Sequence, residues 1–232
     1  MSGAVTSDKQ HLARLLQLAS PTLPIGAYSY SQGLEWLVAA GTVTDAATAQ
    51  RWIGDVLEYF VAPGEAAVLW RLSAAAMAED RLAFAGWNAW LRASRETSEL
   101  RAETEQMGNA LVKLTTDLGC LDEFARGVAQ IAAPITLPAA FALAARGFGV
   151  APETALTAYL WSWLDNQVLA AVKIVPLGQV AGQRMLLALG SGLAAAASHA
   201  KRIADDDMAS FAPGLALASA RHETQYTRLF RS

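Results

Sequence analysis

Apolar residues recur along this chain at spacings of three and four, which place their side chains on one face of an α-helix. A first apolar stripe ends before Pro21, because the residue before a proline disfavours the helical conformation. The sequence therefore predicts a series of amphipathic helices that bury the stripes Leu12, Leu15, Leu16 and Ala19; Trp52, Val56, Tyr59 and Phe60; Val68, Leu69 and Leu72; and Met107, Leu111, Leu114 and Leu118.

Glycines and prolines stand at positions that agree with these helices. Gly119 and Gly147 are expected just beyond helix C-termini, and Pro152 followed by Glu153 is a favourable helix start. No sustained alternation of β-branched and aromatic residues supports strands. The predicted fold class is therefore all-α, with about eight to ten helices of usual length. No Gly/Ser linker divides the chain, so we expect a single compact, bundle-like domain over residues 1–232, with a frayed segment at 1–9 and a flexible partner-docking segment at 205–232.

Composition narrows the classes of function. Hydrophobic residues make up 53% of the chain and charged residues 17%, which is more apolar surface than one core needs and favours a protein partner. A net charge of -3 without a basic run argues against nucleic acid. The single Cys120 and the polar N-terminus, without a visible secretory signal, favour the cytoplasm.

One uncharged stretch, Gly127 to Ala145, approaches the roughly 20 residues needed to span a membrane. It contains Gln130, Pro134 and Pro138, and the prolines remove backbone hydrogen bonds that lipid cannot replace. We therefore predict a buried core helix there and no membrane partner.

Motifs for catalysis or cofactor binding are missing from the sequence. Neither a phosphate-binding GxxxxGK[ST] loop nor a GxSxG nucleophile turn is present. His11, His199 and His222 lack metal-ligand spacing, although folding or a symmetric dimer could still bring histidines together. We expect no catalytic residue, no cofactor and no resident metal. If the protein were an enzyme, Glu35, Asp55 or Glu58 would serve as its general acid and base. No set of catalytic partner residues specific to one reaction accompanies them.

Three segments carry polar and aromatic residues beyond the needs of a core. In Leu23–Glu35, Tyr28 and Tyr30 either cover the core or form an exposed face suited to an interface. Arg92–Met107 holds opposite charges four residues apart, typical of a solvated helix face but also compatible with a polar interface, including one in a homodimer. These pairs are Arg92 with Glu96, Arg95 with Glu99, and Arg101 with Glu105.

The third segment combines Trp161–Gly178 with Ser219–Ser232. Lys173 either complements a helix C-terminus or contacts a partner. Aromatic and basic residues alternate near the end of the chain, where Pro213-Gly214 separates them from the preceding helices. Too few apolar anchors are present for this part to fold alone, so we expect Arg221 to Ser232 to be mobile in the free protein and ordered by a partner.

Four stretches of these segments, in their order and spacing, resemble the UreF family of urease accessory proteins: Leu18–Glu35, Arg95–Arg101, Val172–Gln179 and Arg221–Phe230. The resemblance implies an all-α, dimeric protein that bridges UreD, also called UreH, to the GTPase UreG. In that family the complex delivers nickel to the urease apoprotein and couples GTP hydrolysis to metallocentre assembly. The resemblance also implies a candidate route for nickel toward UreD.

The resemblance further assigns roles to single residues. Tyr28 and Arg228 match positions implicated in UreG recruitment, and Glu35 and Lys173 match positions implicated in the fidelity of activation. His222 and Tyr226 complete the predicted partner-binding set. Two alternatives remain open: stimulation of GTP hydrolysis by UreG, with Arg228 acting as an arginine finger, or a generic helical scaffold.

Overall fold

A computed structural model describes the backbone of residues 2–232 and the side chains of residues 10–232. The predicted frayed segment, 1–9, lies outside the residues whose side chains are described. The described backbone forms twelve α-helices: α1 (Ser2–Leu18), α2 (Leu34–Ala39), α3 (Ala46–Val56), α4 (Ala67–Met77), α5 (Arg81–Ala93), α6 (Ser98–Asp117), α7 (Glu123–Ile131), α8 (Leu137–Gly147), α9 (Pro152–Ile174), α10 (Gln179–Gly190), α11 (Leu193–Arg202) and α12 (Pro213–His222).

A ten-residue π-helix, Leu57–Ala66, joins α3 to α4 without a break. Because α3, the π-helix and α4 form one continuous helical rod, the described backbone has eleven separate helical segments. Residues 2–232 contain no β-strand, so the predicted all-α class is confirmed. The helices are slightly more numerous than expected because some are short, such as α2 with six residues.

The hydrophobic core is one continuous cluster centred on α8. Helix α8 packs against α4 and α6, and the 23-residue helix α9 packs against α8 and α10. Alanines along α8 are buried and allow neighbouring backbones to approach closely. The predicted helix start at Pro152 and the positive φ of Gly119 after α6 are both confirmed.

The prediction that the apolar stripes are buried is partly wrong. Val68, Leu69 and Leu72 are buried, but Leu12 and Leu16 are 55% and 63% exposed. The buried face of α1 carries Leu18 instead. Arg14, on the same face, donates from its guanidinium to the Phe148 carbonyl at the end of α8.

Two further stripe residues also face solvent. Tyr59 is 61% exposed because the π-helix changes the periodicity after Val56, and Leu118 is exposed because it caps the end of α6.

The charged segment Arg92–Met107 is not a single solvated helix. Helix α5 ends at Ala93, and Thr97 caps the start of α6 by accepting from the Leu100 amide. The structure does not form any of the three predicted ion pairs between residues four apart. Arg92 instead pairs with Glu105 at 2.8 Å, and Arg101 donates to the Arg95 carbonyl at 3.1 Å.

The other corrections concern residues 127–149. Gly147 is the last residue of α8, and the residue with positive φ is Gly149. Gly147 serves a close contact instead, since a Cβ there would lie 2.2 Å from the Cys120 carbonyl oxygen. The uncharged stretch from Gly127 is divided between α7 and the buried α8. No single helix in the described part is long and apolar enough to cross a membrane, whereas the bent pair α10 and α11 meets that criterion by length and composition.

Candidate functional site at the C-terminal segment

The loop before α2 presents one tyrosine and buries another. Gly26 and Gly33 have φ values of 81° and 77°, and the residues between them include a short 3₁₀ turn at Ala27–Ser29. The Tyr28 side chain is exposed, whereas Tyr30 is buried and donates to Gln106 Oε1 at 2.7 Å. Of the two tyrosines in this loop, only Tyr28 lies on the surface.

Gly33 brings this loop against α12. A Cβ at Gly33 would lie 2.9 Å from the backbone carbon of Ala218, so a larger residue would push the loop away. Because α2 starts at the next residue, Glu35 in its first turn faces the end of α12 and the C-terminal segment (residues 221–232).

Glu35 holds the backbone of the C-terminal segment. Its Oε1 accepts from the Leu229 amide at 2.6 Å, and its Oε2 accepts from the Phe230 amide at 2.8 Å. Since Phe230 is buried and Leu229 is exposed, these bonds fix the position at which the chain turns back into the core.

His222 links Glu35 to a second carboxylate on α6. Its Nε2 lies 3.3 Å from Glu35 Oε2, and its Nδ1 lies 2.7 Å from Glu99 Oε2. Arg228 reaches the other oxygen of Glu99 at 2.7 Å. We call Glu35, Glu99, His222 and Arg228 the carboxylate–histidine cluster.

Lys173, at the end of α9, lies beside this cluster. Its Nζ is 5.8 Å from the centre of the Tyr28 ring and 5.6 Å from the centre of the Phe230 ring, within the range of cation–π attraction. It also donates to the Tyr28 carbonyl at 3.5 Å. Lys173 thus connects the loop before α2 with the C-terminal segment.

The structure therefore brings five of the six predicted partner-binding residues together: Tyr28, Glu35, Lys173, His222 and Arg228. The sixth, Tyr226, is fully exposed, and none of the described hydrogen bonds ties its side chain to the other five. The mobility predicted for residues 205–232 stays a prediction, and the contacts of Glu35 are among those that such motion would break.

Sequence reasoning missed Glu99 as a member of this site. It treated Glu99 as half of a surface pair with Arg95, but Arg95 points into the core and pairs with Glu65 at 2.5 Å. Glu99 follows the N-cap Thr97, and this residue type was the available signal that a new helix starts there, separate from the one that carries Arg92.

Behind the site lies a buried polar network that the sequence did not reveal. Ser232 donates to Glu103 Oε2 at 2.7 Å, and its carbonyl accepts from the Ser31 amide and hydroxyl. Gln32 donates to the other oxygen of Glu103 at 2.9 Å. Burial raises the pKa of the Glu103 carboxyl to about 7, although these two donors oppose the shift.

The same network contains a small cavity of about 40 Å³ bounded by Glu65, Arg95, Glu103 and Tyr159. Tyr159 donates to Glu65, and burial raises its pKa well above the usual value. Arg95 Nε is buried and has no hydrogen-bond partner among the described residues. The lining is mostly apolar but includes these polar side chains, and the cavity is large enough for one ordered water molecule.

The three acids of the enzyme alternative do not share one site. Asp55 and Glu58 line an open groove between the α3–π-helix rod and α11, whereas Glu35 is occupied by the C-terminal segment. Within the described side chains, no group of three or more His, Cys, Asp or Glu residues is arranged to hold a metal ion.

Comparison with known proteins identifies the family. A family model described as UreF matches residues 43–190. The urease accessory protein UreF of Azoarcus sp. is 54% identical over 223 residues, covering 95% of both chains, and that of Janthinobacterium sp. is 51% identical over 223 residues, covering 96% of this chain and 99% of the relative.

A bifunctional urease accessory protein UreEF of Bordetella bronchiseptica is 49% identical over 228 residues, which are 97% of this chain and 53% of that protein. The family model covers more than half of this chain, and the relatives cover nearly all of it. The chain belongs to the UreF family of urease accessory proteins.

Proposed function

We propose that this protein bridges UreD/UreH and the GTPase UreG in a cytoplasmic complex that delivers nickel to apo-urease and regulates GTP-dependent metallocentre assembly. The observation that carries the proposal is the convergence of Tyr28, Lys173 and Arg228 around the C-terminal segment. We call the exposed part of this region, formed by Tyr28, Lys173, Leu229 and Arg228, the recruitment face.

The recruitment face has the chemistry of a protein-binding surface. Tyr28 presents a large ring with a hydroxyl, and Arg228 presents a planar guanidinium that is 39% exposed even while paired with Glu99. Tyrosine and arginine often contribute most of the binding energy at interfaces. Leu229 adds an exposed apolar side chain beside them.

Co-purification with UreD and UreG tests this proposal. Arg228→Ala and Tyr28→Ala should each weaken UreG capture roughly thirtyfold, the equivalent of about 2 kcal/mol, and should leave the melting temperature nearly unchanged. UreD capture should persist. Unchanged UreG capture by both variants, or a loss seen only together with a large fall in melting temperature, would defeat the recruitment face.

Matched controls come from the same chain. Tyr59 is as exposed as Tyr28 but lies on the π-helix, so Tyr59→Ala should leave UreG capture intact. Arg92 forms an ion pair with Glu105 at 2.8 Å, close to the 2.7 Å of the pair between Arg228 and Glu99, but outside the C-terminal segment. Arg92→Ala therefore controls for the loss of an arginine ion pair.

The second candidate function, stimulation of GTP hydrolysis by Arg228, makes a different prediction. The pairing of Arg228 with Glu99 at 2.7 Å favours an anchoring role, because an arginine finger would first have to leave this carboxylate. If Arg228 only anchors, its loss should weaken complex formation without changing the hydrolysis rate in complexes that still form. A slower rate in those complexes would favour the finger.

The proposal also includes self-association and the order–disorder behaviour of the C-terminal segment. Homodimer formation is supported by exposed apolar side chains outside the recruitment face, such as Leu187 and Phe211. Limited proteolysis at Arg221, Arg228 and Arg231, with and without UreD and UreG, measures the predicted ordering. Equal cleavage in both states would contradict a partner-induced change.

A further inference from the structure

The His222 ring faces a carboxylate from each of its two nitrogens. It is completely buried, and its nitrogens lie 2.7 Å from Glu99 and 3.3 Å from Glu35. A neutral imidazole has a proton on one nitrogen and a lone pair on the other. In the neutral form, a lone pair would therefore face an ionised carboxylate oxygen, whereas the imidazolium donates to both.

The balance of charge around the ring points the same way. Glu35 from α2 and Glu99 from α6 are both only 12% exposed, and Arg228 from the C-terminal segment neutralises one of them. An imidazolium neutralises the other, and the four charges then sum to zero. With a neutral ring, one negative charge would stay uncompensated in a poorly hydrated site, which is unfavourable.

Other charged groups near the ring are engaged elsewhere. Glu223, the residue after α12, accepts from the Ser98 hydroxyl and from the Ser98 and Glu99 amides, and the Ser98 hydrogen bond is the main factor that lowers its pKa. Lys173 lies over the rings of Tyr28 and Phe230 and forms no salt bridge among the described side chains. Neither group therefore neutralises the negative charge that a neutral His222 ring would leave on Glu35 and Glu99.

We propose that Glu99 and the imidazolium form of His222 are positioning residues that set the geometry of the recruitment face. Glu99 holds Arg228 directly, and through His222 it orients Glu35, which in turn fixes the Leu229 and Phe230 amides. The inference rests on the proposed function. It adds that Glu99 and His222 together hold Arg228 and the backbone of Leu229 and Phe230 in place.

Hydrogen exchange in the free, full-length protein tests the pair without any partner, because exchange protection measures the population of the hydrogen-bonded state even in a segment that opens often. In Glu99→Gln, exchange of the Leu229 and Phe230 amides should quicken roughly tenfold or more, because hydrogen bonds to charged groups are lost around His222 and Arg228. Glu105→Gln is the matched control, since it removes another α6 carboxylate that pairs with Arg92. Exchange in this control should stay within about twofold of the wild type, as expected for an independent site.

The state of the ring is measured directly by nitrogen NMR on ¹⁵N-histidine-labelled protein at neutral pH, with His222→Gln to assign the signal. Both ring nitrogens of His222 should carry protons. A neutral tautomer, with one bare nitrogen, would overturn the proposal. A purely structural histidine that fills space would not require the doubly protonated form.

A second pair of variants applies if Glu99→Gln fails to fold. Arg228 is at the surface, so Arg228→Gln should fold and should expose the Leu229 and Phe230 amides, while Arg228→Lys keeps the charge toward Glu99 and should restore part of the protection. Equal protection in wild type, Arg228→Gln and Arg228→Lys would overturn the proposal.

Amide exchange and UreG capture test this inference and the proposed function separately. Faster exchange in Glu99→Gln together with unchanged UreG capture would support the positioning pair and contradict the recruitment role of Arg228. Faster exchange with weakened capture supports both. Unchanged exchange defeats the positioning pair whatever the capture assay gives.

Discussion

Glu103 shows how strongly one residue responds to its surroundings in this protein. It is a buried carboxyl on α6 that accepts hydrogen bonds from Gln32 and Ser232, and its pKa is raised from 4.5 to about 7 chiefly by burial. The nearby Arg95 is already paired with Glu65, so it gives Glu103 little compensation. The protonated form of Glu103 is therefore favoured by folding.

This raised pKa predicts a loss of stability as pH rises. The folded state binds more protons than the unfolded state between pH 4.5 and about 7, so Glu103 contributes full stabilisation below that window and loses it as pH rises through about 7. At about 1.4 kcal/mol per pKa unit, the change is at most about 3.5 kcal/mol. Melting curves from pH 5 to 8 measure it.

Glu103→Gln should flatten this pH dependence and raise the melting temperature at pH 8, because the amide resembles the neutral carboxyl. Glu105→Gln serves as the control, since Glu105 lies nearer the surface on the same helix. Identical pH profiles for wild type and Glu103→Gln would show that Glu103 is not the responsible group.

Lys173 is expected to matter for urease activation and little for folding. A cation near a helix C-terminus contributes only about 0.3–1 kcal/mol, whereas the ammonium of Lys173 joins the Tyr28 and Phe230 rings. Lys173→Ala should therefore reduce activation of urease with little change in melting temperature, and Lys173→Arg should retain part of the activity.

Lys201→Ala is the matched control for that experiment, because Lys201 also lies over an aromatic ring, that of Trp70, but away from the C-terminal segment. Equal urease activation by wild type and Lys173→Ala would leave Lys173 with only its helix-terminal role.

At the scale of elements, the packing of α6 on the turn before α8 depends on a glycine. A Cβ at Gly108 would lie 2.3 Å from the Ile135 carbonyl oxygen and 2.6 Å from the Thr136 carbonyl carbon. The obstructing atoms are backbone, which cannot move aside as a flexible side chain can. This contact keeps α6 in place and with it Glu99 and Glu103.

Gly108→Ala should therefore lower stability by about 1–3 kcal/mol, the usual cost of overpacking. Gly86→Ala, in the middle of α5, meets no atom within 4 Å and should raise stability by up to about 1 kcal/mol through helix propensity. Denaturant unfolding of the two variants measures the contrast. Similar effects of both substitutions would refute the close contact at Gly108.

At the scale of the whole molecule, apolar side chains remain exposed outside the recruitment face. Leu82, Val180, Leu187 and Phe211 are all more than half exposed. Isolated exposed apolar residues are common, but α10 carries both Val180 and Leu187 on its outer side, and the partly exposed Trp161 of α9 lies beside Gly190 at the end of α10. The molecule thus has apolar surface available for a further contact.

We expect the isolated chain to self-associate, as the sequence composition also predicts. Sedimentation velocity at micromolar concentration should show a species larger than a 24.6 kDa monomer. Because apolar burial would drive the contact, moderate salt should weaken it little. A purely monomeric profile over this concentration range would contradict the expectation.

Local sequence determined the elements of this protein, because helix caps, proline positions and apolar spacing act over a few residues. Pro152 starts α9 and Gly119 follows α6, as their types require. The resemblance also singled out Tyr28, Lys173 and Arg228, and the structure brings these three side chains to the C-terminal segment; their role in recruitment stays a prediction.

Only the tertiary structure decided which faces are buried and which charges meet. Leu12 and Leu16 fit a helical stripe yet face solvent, because the neighbour of α1 lies on the side of Leu18. Arg95 and Glu99 fit a local pair yet bond to Glu65 and His222, residues distant in sequence. Local spacing fixes directions around one helix axis, whereas these contacts depend on where the other helices lie, and the free energy of burying a charge is set by partners that the local sequence does not specify.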